Sequence, residues 1–104
     1  MRNLTLLTDL YQLTMLNGYF EKNVHEDIVI FDMFFRKNAC NGGYTIVCGI
    51  EQFVEYINNM HFSDEDLNYL KSLNLFSDKF LTFLKDFKFT GDIYSVEEGT
   101  IMFP

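Results

Sequence analysis

Two side chains in this sequence have the chemistry to bind a ligand, although no spacing around them specifies a reaction. Arg36 stands beside Lys37 in a chain of net charge −7, with 8 basic and 15 acidic residues. A guanidinium donates a fork of hydrogen bonds to phosphate, so this pair suits an anionic ligand; a solvent-facing strand end accounts for it equally well. Tyr11 lies on a helix face that a small domain need not bury, where its ring could stack on a flat ligand.

The remaining polar candidates favour structural roles. His25 and His61 are the 2 histidines of the chain, and neither has the three or four converging ligands that a metal site needs. We expect both to be surface or packing residues. The acidic run at residues 64–66 is typical of a helix N-terminus. Cys40 and Cys48 lack metal-ligand spacing, so we expect two free thiols.

The overall composition indicates a folded domain. The 104 residues are 48% hydrophobic and include 12 Phe. An acidic balance argues against nucleic-acid binding, and no apolar run approaches the roughly 18 residues of a membrane span. With no signal sequence at the start of the chain, we expect a cytoplasmic protein. An end at Pro104, directly after an apolar run, is expected for a piece of a longer protein.

A helix must position Tyr11. Thr8 is its predicted N-cap, Asp9 adds negative charge to the first turn, and the helix should end near Lys22 and Asn23. At about 100° per residue, two apolar stripes run along it on opposite sides. The inner stripe is Leu6, Leu10, Leu13, Leu16 and Phe20, and the outer stripe is Tyr11, Met15 and Tyr19. An ordinary surface helix buries one face, so something outside this small core should cover the outer stripe.

A hairpin is predicted to carry Arg36. Residues 27–36 read as a strand, since β-branched and aromatic side chains occupy both of its faces, as in a central strand. Residues 38–43 should turn the chain into a returning strand over residues 44–48, with Gly49 as the hinge into the next helix.

Three helices and two short strands complete the predicted order. Apolar spacing predicts a helix over residues 50–60, and Ser63 with Asp66 forms a predicted capping box before the second helix. Ser77 should cap the third helix. Short strands are predicted at residues 93–96 and 100–103. This order indicates an α+β domain, with a small sheet and packed helices.

Four sequence motifs resemble the N-terminal domain of nicotinate phosphoribosyltransferase, and they occur in order over nearly the whole chain. They are LTDLYQLTM at residues 7–15, FFRKN at 34–38, GGYTIVCG at 42–49 and EGTIMFP at 98–104. The last motif resembles the point where that domain meets the barrel domain. By this resemblance, residues 1–104 are the N-terminal domain of a type II phosphoribosyltransferase, without its barrel domain.

The resemblance implies an activity for the full-length enzyme. It implies ATP-assisted transfer of the ribosyl phosphate of phosphoribosyl pyrophosphate to nicotinate, giving nicotinate mononucleotide and pyrophosphate. That reaction belongs to NAD salvage, and it makes the enzyme a glycosyltransferase and ligase of pyridine nucleotide biosynthesis. Mg²⁺ and ATP are implied for the full-length enzyme, and neither is expected to be bound by this piece alone. A homodimer is implied as well.

The resemblance also implies roles for three residues. Tyr11 would stack on the nicotinate ring from the neighbouring subunit, and Arg36 would approach the phosphates. Asp9 would orient the motif or the ring, but helix capping explains it equally well. The family's phosphorylated histidine lies beyond this chain, and neither His25 nor His61 sits in a matching motif. No catalytic residue and no activity are therefore expected of the piece alone; the alternative is a non-catalytic dimerisation or interaction module.

Overall fold

The chain folds into a helical core joined to a small antiparallel sheet. The computed structural model describes residues 2–104. Within them the elements are helix α1 (Leu10–Glu21), a short 3-10 turn (Ala39–Asn41), strand β1 (Thr45–Ile46), helices α2 (Ile50–Asn59), α3 (Asp64–Ser72) and α4 (Asp78–Lys85), and strand β2 (Ile101–Met102). These elements confirm the α+β class predicted from the sequence.

The hydrophobic core lies where α1, α3 and α4 meet. Phe80, Leu70 and Leu84 are each only 1% exposed. The Phe80 ring centroid lies 5.8 Å from those of Phe20 and Phe76, within the range of favourable aromatic pairing. The rest of the buried cluster is Leu13, Phe62 and Leu81. Because burying one such side chain contributes about 1.5–3 kcal/mol, this cluster is the centre of the domain's stability.

Side-chain caps fix the starts of α3 and α4 where the sequence predicts them. The Ser63 hydroxyl accepts from the Asp66 N–H at 3.1 Å, and the Asp66 carboxylate accepts from the Ser63 N–H at 2.9 Å. The Ser77 hydroxyl accepts from the Phe80 N–H at 3.2 Å and donates to Glu21 Oε1 at 2.5 Å. Both predicted caps are confirmed, and Ser77 also ties the start of α4 to the end of α1.

The start of α1 differs from the prediction by one residue. Thr8 is not the N-cap; that position is Asp9, whose side chain makes no capping hydrogen bond. The reason lies in the preceding turn, where the Thr8 N–H donates to the Leu6 carbonyl at 2.8 Å and delays entry into the helix. The C-terminal end is as predicted, with Lys22 as C-cap and Asn23 in the left-handed region at φ 57°.

The inner stripe of α1 is narrower than predicted. Leu13 is buried, and Leu6 and Phe20 pack against the core. Leu10 and Leu16 were expected there as well, but both are exposed. They lie about 60° to either side of Leu13 around the helix, beyond the strip that the neighbouring helices cover.

The sheet joins distant parts of the chain instead of the predicted hairpin. β1 pairs antiparallel with β2, with Thr45 opposite Met102 and Ile46 opposite Ile101. The predicted pairing of β1 with residues 27–36 is wrong, and no strand forms at residues 93–96. Beyond β1 the pairing continues through the Val47 N–H, which donates to the Thr100 carbonyl at 2.9 Å. The long-range pairing also brings the turn before β2 against α2, a contact that a local hairpin would not provide.

Residues 28–35 form no strand, contrary to the prediction. No backbone hydrogen bond within the described chain reaches them, and most of their apolar side chains are exposed. A strand that is apolar on both faces needs paired neighbours and a covering layer on each side. Residues 2–104 supply neither, which is why the β-forming pattern does not become a strand here.

A carboxylate from outside the helix caps α2, which sequence reasoning missed. Gly49, the N-cap at φ 105°, confirms the predicted hinge but has no side chain to cap with. Glu98 Oε1 accepts from the Gly49 N–H at 2.6 Å, and its Oε2 accepts from the Ile50 N–H at 3.0 Å. Free N–H groups at a helix start need acceptors, so a glycine at the N-cap is the signal that could have prompted a search for one.

Glu98→Ala should therefore loosen the start of α2. Removing a capping carboxylate costs about 0.5–2 kcal/mol, so amide hydrogen exchange at residues 49–53 should become several-fold faster. Glu97→Ala is the matched control, because Glu97 is the preceding carboxylate and its side chain makes no hydrogen bond in residues 2–104. Equal exchange rates in the two variants would show that the Glu98 carboxylate does not stabilise α2.

The chain is more extended than a typical domain of its length. Its radius of gyration is 16.6 Å, against about 13 Å expected for a compact domain of about 100 residues. Its accessible surface is 8970 Å², against about 6,100 Å² expected for a compact protein of its mass. None of the helices in residues 2–104 is both long and apolar enough to cross a bilayer.

Candidate ligand-binding site

Tyr11 lies in the first turn of α1, about 160° around the helix from the buried Leu13. It is 57% exposed, and Met15 and Tyr19, one and two turns further on, are exposed on the same side. We call these three side chains the outer face of α1. As expected from the sequence, the domain's own core does not cover this face, so the Tyr11 ring is accessible for stacking.

The backbone around Tyr11 is held by local hydrogen bonds. The Thr14 hydroxyl donates to the Tyr11 carbonyl at 3.1 Å, and the Gln12 N–H donates to the Asp9 carbonyl at 3.1 Å. A tyrosine has only two side-chain torsions, so a ring fixed on a helix can contact a ligand at small entropic cost.

Asp9 stands next to Tyr11 at the N-terminal end of α1. Its backbone is extended, at φ −75° and ψ 142°, and its carboxylate makes no capping bond to the helix. The sequence left open whether Asp9 caps the helix or serves the ligand site. Side-chain capping is not observed, whereas the charge still lies at the positive end of the helix dipole.

Arg36 is exposed, and its guanidinium carbon lies 5.2 Å from the centroid of the Phe34 ring. Such a cation–π contact contributes about 0.5–1 kcal/mol at an exposed site, which is a weak restraint. Among residues 2–104 no hydrogen bond or ion pair engages this guanidinium. Its donors are therefore available to an anion, and Lys37 adds a second exposed positive charge.

The turn after Arg36 connects it to the sheet. The Thr45 hydroxyl donates to Asn38 Oδ1 at 2.9 Å, so the segment is fastened two residues beyond the guanidinium. Left-handed backbone occurs at Cys40 and Asn41, at φ 55° and 54°. Gly42, the next residue, has φ −71°, so the turn uses left-handed backbone at Cys40 and Asn41 and not at this glycine.

The two candidate ligand residues make no direct contact with each other in the described chain. No hydrogen bond or ring contact joins Tyr11 to Arg36 within residues 2–104. A cavity of about 270 Å³ lies beside Thr5, Tyr56 and His61, and a depression of about 530 Å³ lies between α3 and α4; Tyr11 and Arg36 line neither. Tyr11 and Arg36 therefore do not share either of these two cavities.

The histidines have packing and surface environments, as expected. The His25 ring lies 5.0 Å from that of Phe20 and 5.1 Å from that of Phe83. His61 is exposed, with Nδ1 2.9 Å from the Asn59 carbonyl oxygen. No group of three or more His, Cys, Asp or Glu side chains in residues 2–104 is arranged to hold a metal ion.

Sequence comparison with known proteins places the chain in a family. The sequence model of the family described as the nicotinate phosphoribosyltransferase (NAPRTase) N-terminal domain matches residues 6–104. Nicotinate phosphoribosyltransferase pncB2 of Mycobacterium tuberculosis is 38% identical over 99 residues, covering 95% of this chain and 21% of the relative. Nicotinate phosphoribosyltransferase of Bacillus subtilis is 39% identical over 101 residues, covering 97% and 21%. The human nicotinate phosphoribosyltransferase is 34% identical over 68 residues, covering 65% and 13%. The chain spans about a fifth of the length of the bacterial relatives.

Proposed function

The chain belongs to the nicotinate phosphoribosyltransferase family, and we propose that it acts as the N-terminal domain of a full-length enzyme of that activity. That enzyme would convert nicotinate and phosphoribosyl pyrophosphate, with ATP, to nicotinate mononucleotide and pyrophosphate in NAD biosynthesis. The match of the family's N-terminal domain over residues 6–104 carries the proposal. We place the enzyme in the cytoplasm.

Tyr11 is proposed to stack on the pyridine ring of nicotinate, reaching the site from the neighbouring subunit of a homodimer. Two observations support this role. The ring is exposed on a helix face that the domain's own core leaves uncovered, and the backbone behind it is held by the hydrogen bonds of α1. The nearby carboxylate of Asp9 is proposed to help orient the motif or the ring.

The reaction joins the ring nitrogen of nicotinate to the anomeric carbon of the ribose while the bond from that carbon to pyrophosphate breaks. Stacking by Tyr11 would hold the nitrogen in line with the carbon, which is catalysis by positioning. Arg36 is proposed to donate to phosphate oxygens, where positive charge stabilises the leaving group. Mg²⁺ and ATP are proposed for the full-length enzyme only.

Arg36→Ala in the full-length enzyme should raise the KM for phosphoribosyl pyrophosphate by about three- to tenfold, with a smaller change in the KM for nicotinate. The reason is the loss of charge-assisted hydrogen bonds to phosphate, discounted for solvent exposure. Steady-state kinetics with each substrate varied in turn would measure the change in the two KM values. Arg2→Ala removes the only other arginine of residues 1–104 and is the control. An unchanged KM for phosphoribosyl pyrophosphate would count against the phosphate role.

A non-catalytic dimerisation or interaction module is the second candidate, and the exposed outer face of α1 favours it. Measuring the turnover of nicotinate distinguishes the enzyme from the non-catalytic module. The full-length protein should form nicotinate mononucleotide from nicotinate at a higher rate with ATP than without it, and more efficiently than it uses nicotinamide. The 104-residue chain should form none. A full-length protein without turnover on nicotinate would favour the interaction module.

A further inference from the structure

Residues 28–35 carry a run of apolar side chains, interrupted at Asp32, most of which nothing in the described chain covers. Six of their side chains are between 66% and 96% exposed. They are Ile28, Val29, Ile30, Phe31, Met33 and Phe34. Single apolar side chains are common on protein surfaces, whereas a contiguous exposed patch marks an interaction site.

The backbone of the same segment is also unpaired. Among residues 2–104 the backbone hydrogen bonds stop at the Asp27 N–H and resume in the 3-10 turn at Ala39–Asn41. Buried backbone N–H and C=O groups are nearly always paired. A partner that covers these side chains must therefore supply backbone hydrogen bonds too, as a neighbouring β-strand does.

The side-chain pattern of residues 28–35 predicts which chemical groups this partner must present. In a strand, Val29, Phe31 and Met33 share one face, and Ile28, Ile30 and Phe34 share the other with Asp32. Two apolar faces require a covering layer on each side of the sheet. A carboxylate buried in such a layer needs a cation or hydrogen-bond donors opposite it, so the partner should present a basic or donor side chain to Asp32.

We propose that residues 28–35 become an interior β-strand when the rest of the full-length enzyme packs on them. The strand would pair with a strand edge from that polypeptide and lie between two apolar layers. The inference rests on the proposed function only in taking this chain as one domain of a longer enzyme.

The length of the relatives and the accessible surface area of this chain both favour the rest of the full-length enzyme as the partner that covers residues 28–35. Because the chain covers only 21% of the bacterial relatives, an enzyme of their size has about four-fifths of its residues outside this match. The chain's surface of 8970 Å² exceeds that of a compact protein of its mass by about 2,900 Å². A standard interface buries only about 800 Å² per partner. A second copy pairing through this segment would satisfy one strand edge but leave both apolar faces uncovered.

Amide hydrogen exchange tests the proposal, with the 104-residue chain compared to the full-length protein. The amides of residues 28–35 should exchange at least about a hundredfold more slowly in the full-length protein, because a paired and buried strand is protected. Equally fast exchange in both would overturn the proposal. Protection in the 104-residue chain that rises with its concentration would assign the strand to a second copy. Concentration-independent protection there would assign it to pairing within the chain.

A matched pair of variants in the full-length protein adds a second readout. Phe31→Asp should speed exchange of residues 28–35 at least tenfold, while Tyr69→Asp, on an exposed position of α3, should leave it unchanged. No effect of Phe31→Asp on a protected segment would contradict burial of this face. Turnover is measured separately, so a protected strand in an inactive protein would leave this inference standing and remove the proposed function.

Discussion

Tyr11→Ala in the full-length enzyme is expected to raise the nicotinate KM or lower kcat by at least about tenfold, or 1.4 kcal/mol. Stacking of a heterocycle on an aromatic side chain contributes about 1–3 kcal/mol by alanine substitution. The ring is 57% exposed on α1 and makes no contribution to the buried core. The loss should therefore fall on the reaction and leave the domain's stability nearly unchanged.

Two further variants show whether the ring itself is responsible. Tyr11→Phe keeps the stacking surface and should retain most of the activity. Tyr69→Ala removes a tyrosine that is 58% exposed on another helix, so it matches the area lost and should have wild-type kinetics. Wild-type kinetics in Tyr11→Ala would remove this residue from the site.

Phe80→Ala is expected to lower the free energy of unfolding of the 104-residue chain by about 3–5 kcal/mol. Phe80 is 1% exposed and contacts rings from α1 and α4 and from the loop between α3 and α4. Natural domains are stable by only about 5–15 kcal/mol, so this loss is a large part of the total. Urea unfolding followed by circular dichroism would measure it.

The control for Phe80→Ala is an exposed phenylalanine on α2. Phe53→Ala removes the same atoms from a position that is about half exposed, and it should cost less than about 1 kcal/mol. Phe80→Leu keeps a folded reference if the alanine variant does not fold. Similar losses in Phe80→Ala and Phe53→Ala would show that the core between α1, α3 and α4 does not dominate stability.

The helices could be predicted from the sequence because their signals are local. A capping box needs only Ser63 and Asp66, three residues apart, and the structure forms both of its hydrogen bonds. The cap at Ser77 and the hinge at Gly49 are equally local. The exposure of Tyr11 followed from helical periodicity, which placed it opposite Leu13.

The sheet could not be predicted because its partners are distant in the chain. β1 pairs across more than fifty residues with β2, and the Glu98 carboxylate reaches α2 from the same turn. A strand pattern specifies which faces are apolar but not which strand lies alongside. Residues 27–36 were predicted as a strand from that pattern. Residues 28–35 remain unpaired, because a strand needs neighbours that residues 2–104 do not provide.

For the candidate site, too, the sequence predicts individual residues but not how distant residues are arranged. The sequence motifs identified Tyr11 and Arg36 as candidate ligand residues. The exposure of both side chains in the structure is compatible with ligand contact. Neither the sequence nor the structure relates the two residues to each other, because their side chains make no mutual contact in the described chain. That both residues contact the substrates of one reaction is our proposal for the full-length enzyme.

The central claim is that the Tyr11 ring contacts nicotinate, and fluorine NMR of the full-length enzyme tests it most directly. 3-Fluorotyrosine is placed at position 11 in one sample and at position 69 in a second, and nicotinate is titrated into each. The position-11 resonance should shift and saturate at nicotinate concentrations near the KM, while the position-69 resonance should not move. An unmoved position-11 resonance in an enzyme that turns over nicotinate would contradict the claim.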